Sequence, residues 1–444
     1  MAEVERAFGA TALETVAFGF AGRLVTRERC GLTVDRVELV PDNAYVERTE
    51  FRFSLHPPYV AGLAMDADAQ GRSLVMMHSH PGSDFPADFS GIDARMHGRL
   101  IPNFLSLLPG PVASLVWSRA GWNGRVWPAT GEECQLDLLR VVGDRLDLRF
   151  PPGREPALED AEEWERQIRA FGQPAQRRLR ELRVGIVGLG GTGSLAAEWL
   201  AHMGVREFVL VDGQRLERSN LSRVSGSRPG DVQMHPPLPK VVSAARLITT
   251  IRPDARIDIH EQSVVACEAL RGIRDCDVVL LCTDGHASRA SVNPIAFQYG
   301  IPILDMGTLL RGASGDVRDA YAEVRLVAPA TACLRCQGVI NADRVREEEL
   351  PEEERALLDR FGYAPGMQMA APSVLPLNAL AVALALLRVL DLIEPWLGWD
   401  HRVALEARQL LVRETSDAQR PNCDICARDD IRGHGDDVPL ACRG

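Results

Sequence analysis

Short apolar bursts alternate with polar turns in the first part of the chain, and longer-period patterns follow. From Glu14 to about Trp127, runs such as Val34 to Val40, Ser73 to Met77 and Ala113 to Trp117 predict a strand-rich α+β unit. The Pro-rich, acidic segment Pro151 to Glu163 carries no hydrophobic periodicity, so a domain boundary falls there. Beyond it, apolar runs at Arg183 to Val187 and Glu207 to Val211 flank a helical stretch from Ser194 to Met203. That is the pattern of a β-α-β unit in a parallel sheet. Further strands are expected at Arg256 to His260, Asp277 to Cys282 and Ile301 to Leu304, with helices at Lys240 to Ile251 and Ala287 to Tyr299. The expected fold class is α/β: an α+β domain over 1–150, a linker over 151–163, a doubly wound Rossmann-like domain over 164–430 and a flexible tail over 431–444.

At 444 residues the chain has room for two or three domains with cores of their own. Its formal net charge of −11 argues against nucleic acid as a partner. The longest apolar run, Ala379 to Leu387, is far shorter than the ~20 residues of a membrane span and reads as a buried helix. Charges at Glu3, Glu5 and Arg6 interrupt the place where a secretory signal needs an apolar core, so a cytoplasmic protein without a membrane partner is expected. The acidic run Glu347 to Arg355 reads as a solvated surface.

In His78-Ser79-His80 the two imidazoles stand at i and i+2, so on a strand both face one metal ion. Asp93 can supply a third ligand, which leaves a tetrahedral zinc position open to water. A nearby carboxylate could then act as general base, and Glu14, Glu38, Glu47 and Glu50 are the candidates. The whole string, H-S-H-P followed by S-G-I-D at Ser90 to Asp93, resembles the JAMM (MPN) metalloprotease motif over roughly residues 8 to 128. The resemblance implies zinc held by His78, His80 and Asp93, with Ser90 donating to a tetrahedral oxyanion. It also implies Glu14, at the head of E-T-V-A-F-G-F-A-G, as the base. The interval between His80 and Asp93 is longer than the motif usually shows, which assigns the extra length to the loop Gly82 to Asp88.

The string Val184 to Ser194 places Gly188, Gly190, Gly191 and Gly193 between a strand and a helix, where backbone N–H groups can cradle phosphate. Asp212 closes the next strand, where an acid can accept from ribose hydroxyls. By themselves these features fit an NAD dehydrogenase equally well. The segment Asp212 to Arg223, then Lys240, then Cys282-Thr283-Asp284, resembles the ThiF and ubiquitin-activating-enzyme superfamily over about residues 160 to 430. The resemblance implies ATP-dependent adenylation of the C-terminal glycine of a ubiquitin-like protein. Asn220, Arg223 and Lys240 would contact the ATP phosphates, and Asp284 would hold magnesium. Upstream, Glu165 to Gly172 resembles the family's Arg-Gln entry motif, which implies a homodimer with Arg166 reaching the partner's ATP.

Cys333, Cys336, Cys423 and Cys426 form two C-x-x-C pairs, the ligand set of a closed structural zinc site. The loop Gly366 to Val374, where many relatives carry a nucleophilic cysteine, has none, and Cys442 and Ser373 are weak substitutes. The expected function is therefore bifunctional: adenylation of a glycine-ended ubiquitin-like protein, which a conjugating enzyme could receive, and zinc-dependent peptidase or isopeptidase action. Activation of a sulfur-carrier protein for cofactor or cysteine biosynthesis is one alternative. A scaffold whose JAMM half is not catalytic is another.

Overall fold

The computed structural model describes residues 1–26, 29–143, 145–159, 161–313, 316–351, 353–354 and 372–442. Contacts divide it into two units, the first of residues 1–141, 147–156 and 429–439 and the second of the remainder.

The first unit opens with helix α1 (Ala2–Gly9) and strands β1 (Val16–Val25) and β2 (Cys30–Leu39). A small pair β3 (Tyr45–Arg48) and β4 (Phe53–Leu55), helix α2 (Pro57–Ala69), β5 (Ser73–Ser79) and helix α3 (Gly91–Leu107) follow. Then come β6 (Val112–Ser118), β7 (Gly121–Trp127) and β8 (Cys134–Gln135), and a short pair β9 (Leu139–Val142) and β10 (Leu146–Arg149). The main sheet runs β2-β1-β5-β6-β7-β8, with β5 and β6 parallel and the other neighbours antiparallel. Strand periodicity sorts its side chains. Val16, Phe18, Phe20, Leu74 and Met76 pack under residues of α2 and α3, while Ala17, Ala21, Val75 and Met77 pack with Val4 and Phe8 of α1. Helices thus cover both faces, which is why β5 is buried throughout and its chemistry is legible only at its end.

The tail is a correction to the expected layout. Residues 429–439 are part of this first unit rather than a flexible extension. Gly22 N–H donates to Gly433 O at 3.1 Å, and Asp436 N–H to Arg23 O at 2.6 Å. Asp436 Oδ2 accepts from Val25 N–H at 2.9 Å, and the buried Arg72, ion-paired with Asp35, donates to Gly433 O at 3.1 Å. These bonds satisfy backbone groups of β1 that an exposed strand would offer to water. A Cβ at Gly22 would lie 2.2 Å from the His434 carbonyl carbon. Gly22→Ala is therefore expected to destabilise the first unit by about 1–3 kcal/mol, read as earlier hydrogen exchange of β1 amides; unchanged exchange would show that the tail contact is dispensable.

The second unit begins with α4 (Glu165–Glu181), kinked at Gly172, whose φ of 82° no β-branched residue would tolerate. It continues with β11 (Arg183–Val187), α5 (Gly191–Met203), β12 (Glu207–Val211), α6 (Lys240–Ile251), β13 (Arg256–His260), α7 (Cys267–Ile273) and β14 (Val278–Leu281). Pro294 divides the helix expected over 287–299 into α8 (His286–Val292) and α9 (Ile295–Gln298). Strands β15 (Ile303–Ala313) and β16 (Asp316–Val327), α10 (Ala342–Glu349), α11 (Leu375–Ile393), β17 (Arg402–Glu406) and β18 (Leu411–Thr415) complete the described elements. The sheet order is β13-β12-β11-β14-β15-β16-β17-β18, parallel through β15 and antiparallel beyond it. The order reverses at β11 and β14, the switch point where a doubly wound sheet opens a crevice at its carboxyl edge. Helix α11 has the length and mean hydropathy of a membrane span, but it packs against α5, β15 and β16.

Candidate functional sites

The first site forms where β5 ends. His78 and His80 project from one side of the strand terminus, and Ser79 between them points the other way, where its Oγ accepts from Thr15 N–H at 2.9 Å. Ser79 N–H donates in turn to Thr15 O at 3.0 Å, which brings Glu14 beside the His80 imidazole. Arg48 fixes that corner by donating to Glu14 O at 2.9 Å and to Thr15 Oγ1 at 2.6 Å. Asp93 arrives on the first turn of α3. It closes a capping box in which its Oδ2 accepts from Ser90 N–H at 2.6 Å, and Ser90 Oγ accepts from Ile92 and Asp93 N–H at 3.2 Å. The longer loop is held in place by Ser118 Oγ donating to Phe85 O at 2.9 Å and Asn123 Nδ2 donating to Ala87 O at 3.0 Å.

Asp93 Oδ1 lies 3.3 Å from His78 Nε2, Asp93 Oδ2 lies 3.5 Å from His80 Nε2, and Glu14 Oε1 lies 3.7 Å from His80 Nε2. Ligand atoms about 3.4 Å apart are what N and O donors at zinc bond lengths require, so the three residues fit that ion. His78 is fully buried between Phe53 and Phe89, and neither of its ring nitrogens makes an aligned hydrogen bond among the described residues, as a ligand awaiting a metal would be. Burial raises the Glu14 carboxyl to about 7; Asp93 adds to the rise and His80 opposes it. Burial alone would raise Asp93, yet the adjacent His78 and His80 imidazoles and the Ser90 N–H hold it well below the usual carboxylate range. Two carboxyls within one site are thus driven apart, one basic and one ionised. Of the other acids weighed as base, Glu38 pairs with Arg36 and Glu47 with Arg52, and Glu50 lines a neighbouring cleft.

The second site lies at the switch point. Gly188 has φ 89°, and a Cβ there would meet Thr283 at 2.9 Å and the Cys282 carbonyl oxygen at 3.0 Å, so the glycine loop and the Cys282–Asp284 loop lie against one another. A Cβ at Gly193 would lie 1.8 Å from Gly188 O, and one at Gly191 2.3 Å from Asn378 Nδ2 and 3.5 Å from Arg223 Cδ. Only glycine allows the turn to close onto the α5 N-terminus. Asp212 accepts from Leu189 N–H through Oδ2 and from Gln214 N–H through Oδ1, both at 2.7 Å. Lys240 is buried with Nζ donating to Gln214 Oε1 at 2.6 Å, and Asn220 is buried with Oδ1 accepting from Glu217 N–H at 3.1 Å. Arg223 donates to Ser219 O at 2.7 Å, and Arg289 donates to Asp284 O at 3.0 Å. Gly188, Gly191, Gly193, Asp212, Arg223 and the 282–284 loop are therefore neighbours, with Lys240 joined to them through Gln214. Asn378, a polar position in an apolar helix and bonded to Thr308 and Ser373, is a member that the sequence reading missed.

The four cysteines come together. Cys333 and Cys423 sulfurs are 3.6 Å apart, Cys336 and Cys426 sulfurs 3.5 Å, and all four thiols are buried. Tetrahedral thiolates on zinc stand about 3.8 Å apart, so the set fits a structural ion. Arg420 N–H already donates to Cys336 Sγ at 3.4 Å. Cys442 corrects an expectation: it is disulfide-bonded to Cys267 and is not a reachable nucleophile. Ser373 Oγ is engaged with Asn378, and 366–371 of the crossover loop lie outside the described residues. Cys282 is pushed up to about 12, chiefly by burial, which makes it a poor nucleophile. Arg166 stands exposed in the first turn of α4.

The sequence model of the ThiF family matches residues 164–427. Ubiquitin-like modifier-activating enzyme 5 of Drosophila willistoni is 26% identical over 192 residues, 40% of this chain and 44% of that protein. SAMP-activating enzyme E1 of Haloferax volcanii is 31% identical over 165 residues, 37% of this chain and 56% of that protein. The chain spans about half the length of the curated relatives it matches. E. coli MccB crystallised with AMPCPP and MccA is 19% identical, with 62% of this chain and 77% of that one covered and a TM-score of 0.48.

Proposed function

The chain belongs to the ThiF family, and from that premise we propose that residues 164–427 adenylate the C-terminal carboxylate of a small protein ending in glycine, with pyrophosphate leaving. What carries this reading is the convergence of the glycine loop, Arg223 and the 282–284 loop at one crevice. ATP, when bound, supplies an electrophilic α-phosphorus and a pyrophosphate leaving group. The N–H groups at Gly190 to Gly193 are positioned to donate to phosphate oxygens, and Arg223, Lys240 and Asn220 to offset their charge against an incoming carboxylate. Asp284 would hold magnesium and Asp212 the ribose. The names of the relatives, which activate a ubiquitin-like modifier or a SAMP, favour a protein substrate over a small acid. Exchange of labelled pyrophosphate into ATP, dependent on an added glycine-ended protein and lost in Asp284→Ala, tests it; exchange that survives Asp284→Ala, or none with any such protein, removes the reading.

The first unit, in the same reading, hydrolyses the peptide or isopeptide bond following such a glycine. His78, His80 and Asp93 would hold a zinc ion that polarises a water molecule. With the ion bound, Glu14 would be the base that takes a proton from water and returns it to the leaving amine, and Ser90, whose hydroxyl hydrogen is not used in the helix cap, would donate to the developing oxyanion. Cys333, Cys336, Cys423 and Cys426 would hold a second, structural zinc. Arg166 would complete the nucleotide site of a second copy in a homodimer, and a conjugating enzyme would be the onward partner. A sulfur-carrier protein is the second reading of the substrate, favoured because Cys442 is tied to Cys267 and Cys282 is a poor nucleophile. An adenylate passed directly to a sulfur donor needs no thiol of this chain.

A further inference from the structure

Two clefts open on the first unit, and Arg119 lines both. One, of about 330 Å³, is walled by Ala10, Ala12, Phe51, Pro81 and Gly82, so it begins one residue past His80 and two before Glu14. The other, of about 340 Å³, has Trp117, Trp122, Phe150 and Arg149 for walls. Arg119 sits at the turn between β6 and β7, and the Trp117 carbonyl just before it accepts from His80 N–H at 2.8 Å. The turn is therefore registered to the metal ligands.

The charges around it are unequal in commitment. Arg149 is ion-paired with Glu5 and Asp147, and Glu5 also accepts from Trp122 Nε1 at 2.6 Å. Arg119 meets Asp84 at 3.5 Å with side chains 69% and 81% exposed, a pair worth little against solvent. Its guanidinium is free to turn toward another anion.

We propose that Arg119 is a specificity residue that binds a carboxylate side chain on the polypeptide whose glycine tail enters the metal site, an inference that rests on the hydrolase reading above. Small walls at Ala10, Ala12 and Gly82 leave room for a stretch of chain with little side chain, as glycines provide. Each cleft is lined by one carboxylate, Glu50 on the metal side and Glu5 on the other, but Glu5 is already ion-paired with Arg149, so the acidic residue belongs on the Trp117 and Trp122 side of Arg119. Aromatic walls displace water from that side, and a guanidinium can accept a carboxylate through two parallel N–H bonds.

The test uses the full zinc-loaded chain and fluorescein-labelled peptides ending in Gly-Gly joined through an isopeptide bond to lysine, with glutamate or glutamine at successive positions. Binding is read by anisotropy on Glu14→Gln, which keeps the ligand set, and cleavage on the native chain. One glutamate position is expected to tighten binding about tenfold over its glutamine counterpart, the scale of a charge-assisted hydrogen bond. The difference should vanish in Arg119→Ala, invert for a lysine peptide in Arg119→Glu, and grow in Asp84→Asn. In cleavage it should appear in KM with kcat unchanged. Equal binding of the glutamate and glutamine series, or no binding of any peptide, overturns the proposal. Discrimination in binding without cleavage supports recognition by Arg119 and removes the hydrolase reading instead.

Discussion

Glu14→Gln is expected to slow peptide hydrolysis by about 10²–10⁴-fold, the usual contribution of a positioned general base, with zinc content unchanged. The amide keeps the size of the carboxyl and leaves the residue's backbone bonds, one accepted from Arg48 and one donated to Thr49 O, in place, but it cannot take a proton from water. Burial makes the native carboxyl more basic than a solvated glutamate, which suits it to accept a proton near neutrality. Glu38→Gln and Glu47→Gln serve as controls, because each carboxylate is paired with an arginine of its own strand or hairpin. Retention of the native rate in Glu14→Gln, with zinc bound, would transfer the role to another group or remove it. Loss of zinc together with activity would mean that Glu14 is part of the ligand set.

At the nucleotide site, the glycines differ in what they exclude. Gly193→Ala puts a methyl carbon 1.8 Å from Gly188 O, so the loop itself must open. ATP affinity should fall at least about 100-fold, comparable with losing two charge-assisted phosphate contacts, along with thermal stability. Gly190→Ala meets nothing within 4 Å, and its φ of −75° suits any residue. That variant should melt like the native chain yet bind ATP more weakly, because its methyl occupies the space a phosphate needs above the α5 N-terminus. Calorimetric titration with ATP, beside a thermal melt of each variant, separates the two. Native affinity in Gly190→Ala would move the phosphates elsewhere.

Both candidate metal-ligand clusters and the glycine loop were legible in the sequence because short spacing encodes them: i and i+2 on a strand, C-x-x-C, and a glycine run between strand and helix. The strands β11, β12 and β14 were legible because parallel strands covered on both faces are continuous apolar runs, and β13, at the sheet edge, by its alternation of Ile257 and Ile259 with polar residues. The antiparallel extension was not read, although β16 alternates buried and intermediate positions from Ala320 to Leu326, because its polar faces carry Arg325 and Glu323. Arg325 is nonetheless committed inward, to the fully buried Asp305, an arrangement no linear pattern announces. Asn378 was hidden for the opposite reason: a lone polar residue in Leu375–Ile393 looks incidental until Gly191 is seen against it. Arg119 has no sequence signal, since its place depends on two clefts meeting at a turn. The disulfide between Cys267 and Cys442 joins residues 175 apart, beyond any spacing rule.

The docking of residues 429–439 onto β1 has a consequence for biosynthesis. During translation at ~5–20 residues per second, the roughly 270 residues between Pro156 and Asp429 take on the order of 15 to 55 seconds to synthesise. Over that interval β1, which leads directly from Glu14, lacks its last partner. The first unit is completed only by residues made long after its other segments, so a chain that has not yet reached residue 429 carries His78, His80 and Asp93 without the finished scaffold that holds them. The geometry of the candidate site would be finished only once residues 429–439 have been made and have docked.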